Sequence, residues 1–272
     1  MNTISEVPFI KHLDSGNFFL LAGPCVVEDK ESPVEIARIL VDLCDKYEIP
    51  FIFKASYRKA NRSKSSSFTG IGDEKALEVL AGIRQKFGVP VVSDIHSESD
   101  ARMAAQYIDV LQIPAFLCRQ SDILVAAGET GKVVNIKKGQ FASGDAMHFA
   151  VEKVKETGNQ KVMLTERGTT FGYTDLVVDF RNIPVMQQAG VPVILDVTHS
   201  LQQPNQPAGV TGGRPDLIPL MARLGIASGV EGLFMETHPD PSKAKSDGAN
   251  MLRLELMDEL LAGLVKLRKA LI

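Results

Sequence analysis

A closed (β/α)8 barrel is the fold class this sequence predicts, on three observations. Eight short apolar runs alternate with eight helical patterns, the order of a parallel sheet with crossover helices. Each run is nearly continuous in apolar residues and ends in polar ones, as strands buried on both faces do. The chain has 272 residues, close to the roughly 250 typical of a TIM barrel. An open doubly wound sheet is the competing architecture. Its first turn should carry a glycine-rich fingerprint, and here that turn reads Gly23-Pro24-Cys25.

Residues 1–17 stand apart. PFIKHL, then Asp14-Ser15-Gly16, then NFFLLA predicts a β-hairpin that runs into the first strand and closes the bottom of the barrel. The first strand is FFLLAG (18–23). Ser32-Pro33-Val34-Glu35 opens the first helix as a capping box, with Ser at the N-cap, Pro at N1 and Glu at N3. Ile36, Ile39, Leu40 and Leu43 form its apolar stripe, and Cys44 beside them reads as a small core residue. After FIFKAS (51–56), a helix from near Asp73 carries Leu77, Leu80, Ile83 and Phe87 and stops at Gly88, a C′ glycine. Then follow VVSDIH (91–96) with a helix over 99–107, VLQIPA (110–115) with 121–127, and VVNIKK (133–138) with 145–156. VMLTER (162–167) precedes a helix over 175–188, and VILDVT (193–198) one over 215–224. GLFMET (232–237) leads to the last helix, 250–271, expected to be the longest. With no repeat, low-complexity tract or linker, residues 1–272 read as a single barrel domain.

Composition narrows the function. Lys and Arg number 30 against 33 Asp and Glu, for a net charge of -3, and no basic run appears. A nucleic-acid partner is therefore not expected. No stretch of 18 apolar residues suggests a membrane span, and the first twenty residues lack the pattern of a signal peptide. Three cysteines, Cys25, Cys44 and Cys118, suit a reducing cytoplasm.

In this fold the catalytic end is the C-terminal rim of the strands. Cys25, Lys54, Asp94, His96, Gln112, Lys137, Lys138, Glu166, Arg167, Asp196, His199, Glu236 and His238 all fall there. Nearly every strand thus ends in a charged or metal-competent group. The loop Arg58-Lys59-Ala60-Asn61-Arg62-Ser63-Lys64, with a Ser-rich tail to Gly70, combines cations, hydroxyls and a mobile backbone. That is phosphate-site chemistry, although a solvated loop has the same composition. The loops after the seventh and eighth strands, QQPNQPAGVTGGR and HPDPSKAKSDGAN, are long enough to be lids. Cys25, His199, Glu236 and Asp247 offer a thiolate, an imidazole and two carboxylates, a set suited to Zn, Fe, Mn or Co. Their spacing leaves open the plainer reading of a packed cysteine and a hydrogen-bonded histidine.

LAGPC (21–25), FKAS (53–56), KANRS (59–63), LQIPAFLCRQ (111–120), NIKKGQF (135–141), ERGTTFGY (166–173), DVTH (196–199) and ETHPDP (236–241) occur in order along nearly the whole chain. On these motifs the sequence resembles the 3-deoxy-D-manno-octulosonate 8-phosphate (KDO 8-phosphate) synthases. KANRS is the most specific part, because the sister seven-carbon synthases typically carry a KPRT-type motif there. The resemblance implies a (β/α)8 barrel, usually a homotetramer. It implies condensation of phosphoenolpyruvate with D-arabinose 5-phosphate and water, in lipopolysaccharide core biosynthesis. It also implies a divalent metal, since the metal-dependent branch has Cys where Cys25 stands and the metal-free branch has Asn. His199, Glu236 and Asp247 match as the other ligands.

By the same resemblance, Lys54, Lys59, Lys137 and Arg167 surround phosphoenolpyruvate. Arg62 and Ser63 hold the arabinose phosphate, with Arg119 from a neighbouring subunit. Asn61 and Asp94 meet sugar hydroxyls, Gln112 and Gln202 join the substrate-binding set, and His199 and Cys25 serve as ligands. His96 follows Asp94 by two on the same strand face and supports the site from behind. Two phosphates and a carboxylate bring about -4 to -5, so binding needs a local cationic cluster, and six cations are about the right number. Three competing readings remain: a Schiff-base lyase using Lys54 or Lys137, the seven-carbon synthase acting on erythrose 4-phosphate, and a non-catalytic sugar-phosphate-binding barrel.

Overall fold

The computed structural model describes residues 3–60, 67–203 and 211–272. Its eight barrel strands are β1 (Phe19–Gly23), β2 (Phe51–Lys54), β3 (Val91–Asp94), β4 (Val110–Ile113), β5 (Val133–Lys137), β6 (Val162–Glu166), β7 (Val193–Asp196) and β8 (Gly232–His238). They pair in parallel in chain order, and β8 pairs back with β1 from Phe19↔Gly232 to Gly23↔Glu236, closing the barrel. The helices between them are α1 (Ser32–Tyr47), α2 (Asp73–Phe87), α3 (Glu98–Ala104), α4 (Ser121–Glu129), α5 (Met147–Lys155), α6 (Asn182–Gln187), α7 (Ile218–Ala227) and α8 (Met257–Leu271). Among the described residues no helix is long and apolar enough to cross a membrane.

The two-residue period of a strand sorts its side chains into layers. Phe19, Leu21, Ile52, Val92, Val110, Val133, Met163, Ile194 and Phe234 pack as one cluster inside the barrel, with a contribution from every strand. Two residues further along, the same inward positions hold Gly23, Lys54, Asp94, Gln112, Asn135, Thr165, Asp196 and Glu236. An apolar plug therefore carries a polar floor at the C-terminal end. The alternate positions, such as Leu20, Phe53, Leu111 and Leu195, join the helix stripes in the outer core. Gly23 is the small member of the floor for a local reason. A Cβ there would lie 2.0 Å from the Lys54 carbonyl oxygen.

Four local expectations are corrected. The N-terminal hairpin is absent: Thr3–Glu6 and Leu13–Ser15 are single 3-10 turns. Phe9 and His12 sit at φ 61° and 59°, which breaks the extended run a strand needs, and Pro8 supplies no ladder donor. Ile4 and Val7 still pack against the plug, so the segment seals the bottom without pairing. The helix expected over 175–188 is α6 alone. Thr169–Phe171 instead pairs antiparallel with Asp175–Val177, turning through Gly172 at φ 72°, as β-branched residues around a glycine turn favour.

The capping box of α1 does not form. The Asp29 carboxylate accepts from the N–H groups of Glu31 (2.9 Å) and Ser32 (2.7 Å) and from the Ser32 hydroxyl (3.0 Å). A charged acceptor outcompetes a hydroxyl at the positive end of a helix. Finally, residues 250–271 are not one helix. Leu252–Arg253 adds a short parallel strand to β8 and Leu254–Leu256 is a 3-10 turn. This leaves α8 with 15 residues, shorter than α1 with 16.

Candidate active site

The polar floor opens into a pocket at the C-terminal mouth. Lys54, Asp94, Lys137, Arg167, His199, Glu236 and Asp247 form its walls, with Arg58, Lys59, His96, Phe116, Gln140 and Gln202 at the rim. Closure of the sheet makes β7, β8 and β1 neighbours. His199, Glu236 and Cys25 follow from or end these strands and meet at one edge of the mouth.

Two half-sites are visible there. Cys25 Sγ lies 3.5 Å from Asp247 Oδ2, and Lys59 Nζ donates to both at 2.9 Å. Opposite them, His199 Nε2 faces Glu236 Oε2 at 3.6 Å. That carboxylate oxygen is buried with no hydrogen-bond partner, while Oε1 is paired with Lys54 Nζ. His199 Nδ1 lies 2.9 Å from Asp196 Oδ2. The carboxylate assigns the proton to Nδ1 and leaves the Nε2 lone pair for the site. Burial, reinforced by Glu236, pushes the Cys25 thiol up. Burial also opposes the charge on Asp247, but Lys59 outweighs it and lowers the carboxyl to about 2. Among the described residues no three such donors converge closely enough to ligate an ion as placed; the Lys59 ammonium stands between Cys25 and Asp247. The donor chemistry and the orphaned Glu236 oxygen nonetheless fit a divalent cation.

The cations line the other side. Lys137 Nζ donates to Asp196 Oδ2 at 2.7 Å and lies 3.6 Å from the centroid of the Phe234 ring. Asp196 also accepts from the N–H groups of Thr198 (3.0 Å) and His199 (2.8 Å). Burial disfavours its charge, but His199 and Lys137 hold it well below the usual carboxylate range. Arg167 differs from the lysines. Its Nη2 donates to the His199 carbonyl and Gln202 Oε1, each at 3.0 Å, and its Nη1 is buried with no partner. An unused guanidinium donor in a pocket is an anion anchor. The charge balance is tighter than a count of cations suggests. Lys54, Lys59 and Lys137 are paired with Glu236, Asp247 and Asp196, and Asp94 adds a fourth carboxylate against Arg167.

Asp94 is half-buried, with Ser56 Oγ on Oδ2 and Gln112 Nε2 on Oδ1, both at 2.7 Å. Burial opposes its charge, but Lys54 and Lys137 hold the carboxyl well below its ordinary value. Gln112 itself is fully buried, with its carbonyl taken by Asn135. The structure places it beneath Asp94, outside the lining of the pocket. His96 lines the rim beside Asp94, stacked edge-on to Tyr57. Gln202 is brought in through Arg167. Arg119 is exposed and does not line this chain's pocket. Asn61, Arg62 and Ser63 lie outside the described residues.

Sequence reasoning passed over Ser56, Asn135, Thr165 and Phe234. The signal for two of them was available: Asn135 and Thr165 are polar residues inside otherwise apolar strands, each two residues before a rim cation.

The family model described as the DAHP synthetase I family matches residues 10–271. A protein of Koribacter versatilis named 2-dehydro-3-deoxyphosphooctonate aldolase is 51% identical over 271 residues, 97% of this chain and 96% of that protein. Proteins of the same name from Granulibacter bethesdensis and Desulfatibacillum aliphaticivorans are 48% and 47% identical. They cover 95% and 92% of this chain, and 91% and 92% of their own lengths.

Proposed function

The chain belongs to the DAHP synthetase I family, and we propose that it condenses phosphoenolpyruvate with D-arabinose 5-phosphate and water to KDO 8-phosphate and inorganic phosphate. One observation carries the choice within the family. The relatives near half identity over almost the full chain bear the name of the eight-carbon aldolase, and this chain keeps KANRS at 59–63. The seven-carbon reading is thereby disfavoured, and so is a barrel that binds sugar phosphates without turning them over.

In the reaction, C3 of phosphoenolpyruvate bonds to the aldehyde carbon, whose oxygen takes up a proton. Water adds at C2, where positive charge develops. Phosphate then leaves C2 with its bridging oxygen, and loss of a proton from the C2 hydroxyl gives the ketone. The residues hold two anions side by side, which is a large share of the work. Arg167 anchors phosphoenolpyruvate through its unused Nη1, with Lys54, Lys59 and Lys137 around it. Asp94 receives sugar hydroxyls, together with Asn61, while Arg62 and Ser63 take the sugar phosphate. A Schiff base is not needed and is disfavoured. It requires a neutral amine, whereas Lys54 and Lys137 are buried against Glu236 and Asp196.

Cys25, His199, Glu236 and Asp247 would hold a divalent ion of the Zn, Fe, Mn or Co class. Three features support this: the donor set, the orphaned Glu236 oxygen and the charge balance. Of the five cations that line the described pocket, Arg58 is held by Asp73 and Asp100 and the other four are matched by Asp94, Asp196, Glu236 and Asp247, yet the substrates bring about -4 to -5. A divalent cation, Arg62 and Arg119 make up the difference. When bound, such an ion polarises a carbonyl or orients water.

The protein acts as a cytoplasmic homotetramer, with no nucleic-acid or membrane partner. Phe116 is 45% exposed at the rim of the pocket, and the exposed Arg119, three residues beyond it, does not line its own chain's pocket. Arg119 reaches a neighbour's pocket. Arg119→Ala is expected to lose activity, and mixed tetramers with a different inactive variant to regain part of it; a dilute monomer with full activity would refute the sharing. The substrate assignment is tested by phosphate release from phosphoenolpyruvate with each aldose. Arabinose 5-phosphate should be turned over far faster than erythrose 4-phosphate, and equal rates would sink the reading.

A further inference from the structure

A chain of hydrogen bonds crosses the polar floor, and none of the roles above uses it. Thr165 Oγ1 donates to Asn135 Oδ1 at 2.8 Å, Asn135 Nδ2 to Gln112 Oε1 at 2.9 Å, and Gln112 Nε2 to Asp94 Oδ1 at 2.7 Å. Thr165, Asn135 and Gln112 are fully buried and sit on the adjacent strands β6, β5 and β4. Resting on the condensation assigned above, we propose that Asn135, closed off by Thr165, is a positioning residue that turns the Gln112 amide so that its N–H group meets Asp94.

An amide turned by 180° keeps its shape and exchanges donor for acceptor. If Gln112 were reversed, its carbonyl would face the Asp94 carboxylate, which only a protonated Asp94 tolerates. Its N–H2 would then face the Asn135 N–H2, so Asn135 would have to reverse as well. The chain thus has two self-consistent polarities, and only one goes with an anionic Asp94. The charged groups around Asp94 favour that one, Lys54 from β2 and Lys137 from β5, while burial keeps the nearby His96 ring toward its neutral form. In this polarity Asp94 is a fixed acceptor, oriented to receive the hydroxyls of the second substrate. Asn135 is the link that transmits the polarity, because it alone supplies the donor that Gln112 Oε1 requires.

The test uses Asn135→Asp, which keeps the shape but offers Gln112 only acceptors, together with Thr165→Val and Thr165→Ser. The readouts are the 13C resonance of the Asp94 carboxyl as pH is lowered, and steady-state kinetics. In Asn135→Asp the Gln112 N–H2 is drawn to the new carboxylate, so Asp94 should take up its proton at higher pH than in the unmodified protein. Thr165→Val should shift that uptake in the same direction. It should also cut kcat/KM for arabinose 5-phosphate by roughly five- to tenfold, the scale of one buried hydrogen bond. The KM for phosphoenolpyruvate should not change, and Thr165→Ser should restore the starting behaviour. Folded variants in which Asp94 titrates as before would overturn the proposal. If Asn135→Asp does not fold, the Thr165 pair decides alone. Because the resonance needs no turnover, failure of the functional reading would show separately, as an unmodified protein that releases no phosphate.

Discussion

Removal of divalent metal is expected to abolish phosphate release. The loss should be about a hundredfold or more, the scale of an ion that lowers a barrier by several kcal/mol. Zn, Fe, Mn and Co should restore activity to different degrees. Magnesium alone should serve poorly, because it prefers an octahedron of oxygens, and a site with Cys25 and His199 offers two oxygen-bearing side chains at most. Metal analysis gives a readout independent of turnover, and about one ion per chain is expected. Cys25→Asn separates holding the ion from doing the chemistry. The amide is a poor ligand for a borderline ion, so the variant should bind metal weakly. The resemblance to a metal-free branch with Asn at this position predicts that it keeps measurable, chelator-resistant activity. Full turnover by metal-free, unmodified protein would defeat the four-ligand assignment.

Lys137→Ala is expected to have the second large effect. The substitution removes the partner of Asp196 in a buried pair and a cation from the anion site. Breaking such a pair costs about 3–5 kcal/mol of stability, and losing a charge-assisted hydrogen bond to the substrate, worth roughly 1.5–3 kcal/mol, should lower kcat/KM for phosphoenolpyruvate by about ten- to a hundredfold. The loss should come with a lower melting temperature, because the buried Asp196 carboxylate is left without its ammonium partner. A double variant, Lys137→Met with Asp196→Asn, which keeps an acceptor for the Thr198 and His199 N–H groups, distinguishes the two contributions. Removing both charges should recover stability and leave activity lost. Recovery of activity along with stability would make Lys137 a structural residue only.

Much of this architecture was legible in the sequence because strands buried on both faces leave continuous apolar runs. The rim residues were legible for the same reason, since Lys54, Asp94, Glu236 and their neighbours interrupt those runs at the ends. The pairing among them was not. Six cations look sufficient for two anionic substrates until Glu236, Asp247 and Asp196 are seen to occupy three of them. Pairing depends on barrel closure, which joins residues as distant as Lys59 and Asp247. Gln112 lies one layer below the lining of the pocket. A glutamine at a strand end reads as a substrate contact, and only the inward parity of Asn135 and Thr165 shows that its amide is engaged within the floor. The N-terminal hairpin failed at Phe9 and His12, whose left-handed backbone carries no compositional mark, unlike glycine. The helix expected over 175–188 starts later because the antiparallel pair that turns through Gly172 takes up residues 175–177.

The condensation itself is tested most directly by the fate of the bridging oxygen of phosphoenolpyruvate. The protein would be incubated with arabinose 5-phosphate and phosphoenolpyruvate carrying 18O between C2 and phosphorus, and the products analysed by mass spectrometry. The account predicts that the label leaves entirely with inorganic phosphate, while the eight-carbon product takes its C2 oxygen from water. Label retained in an organic product, or phosphate released without a new carbon–carbon bond, would contradict it.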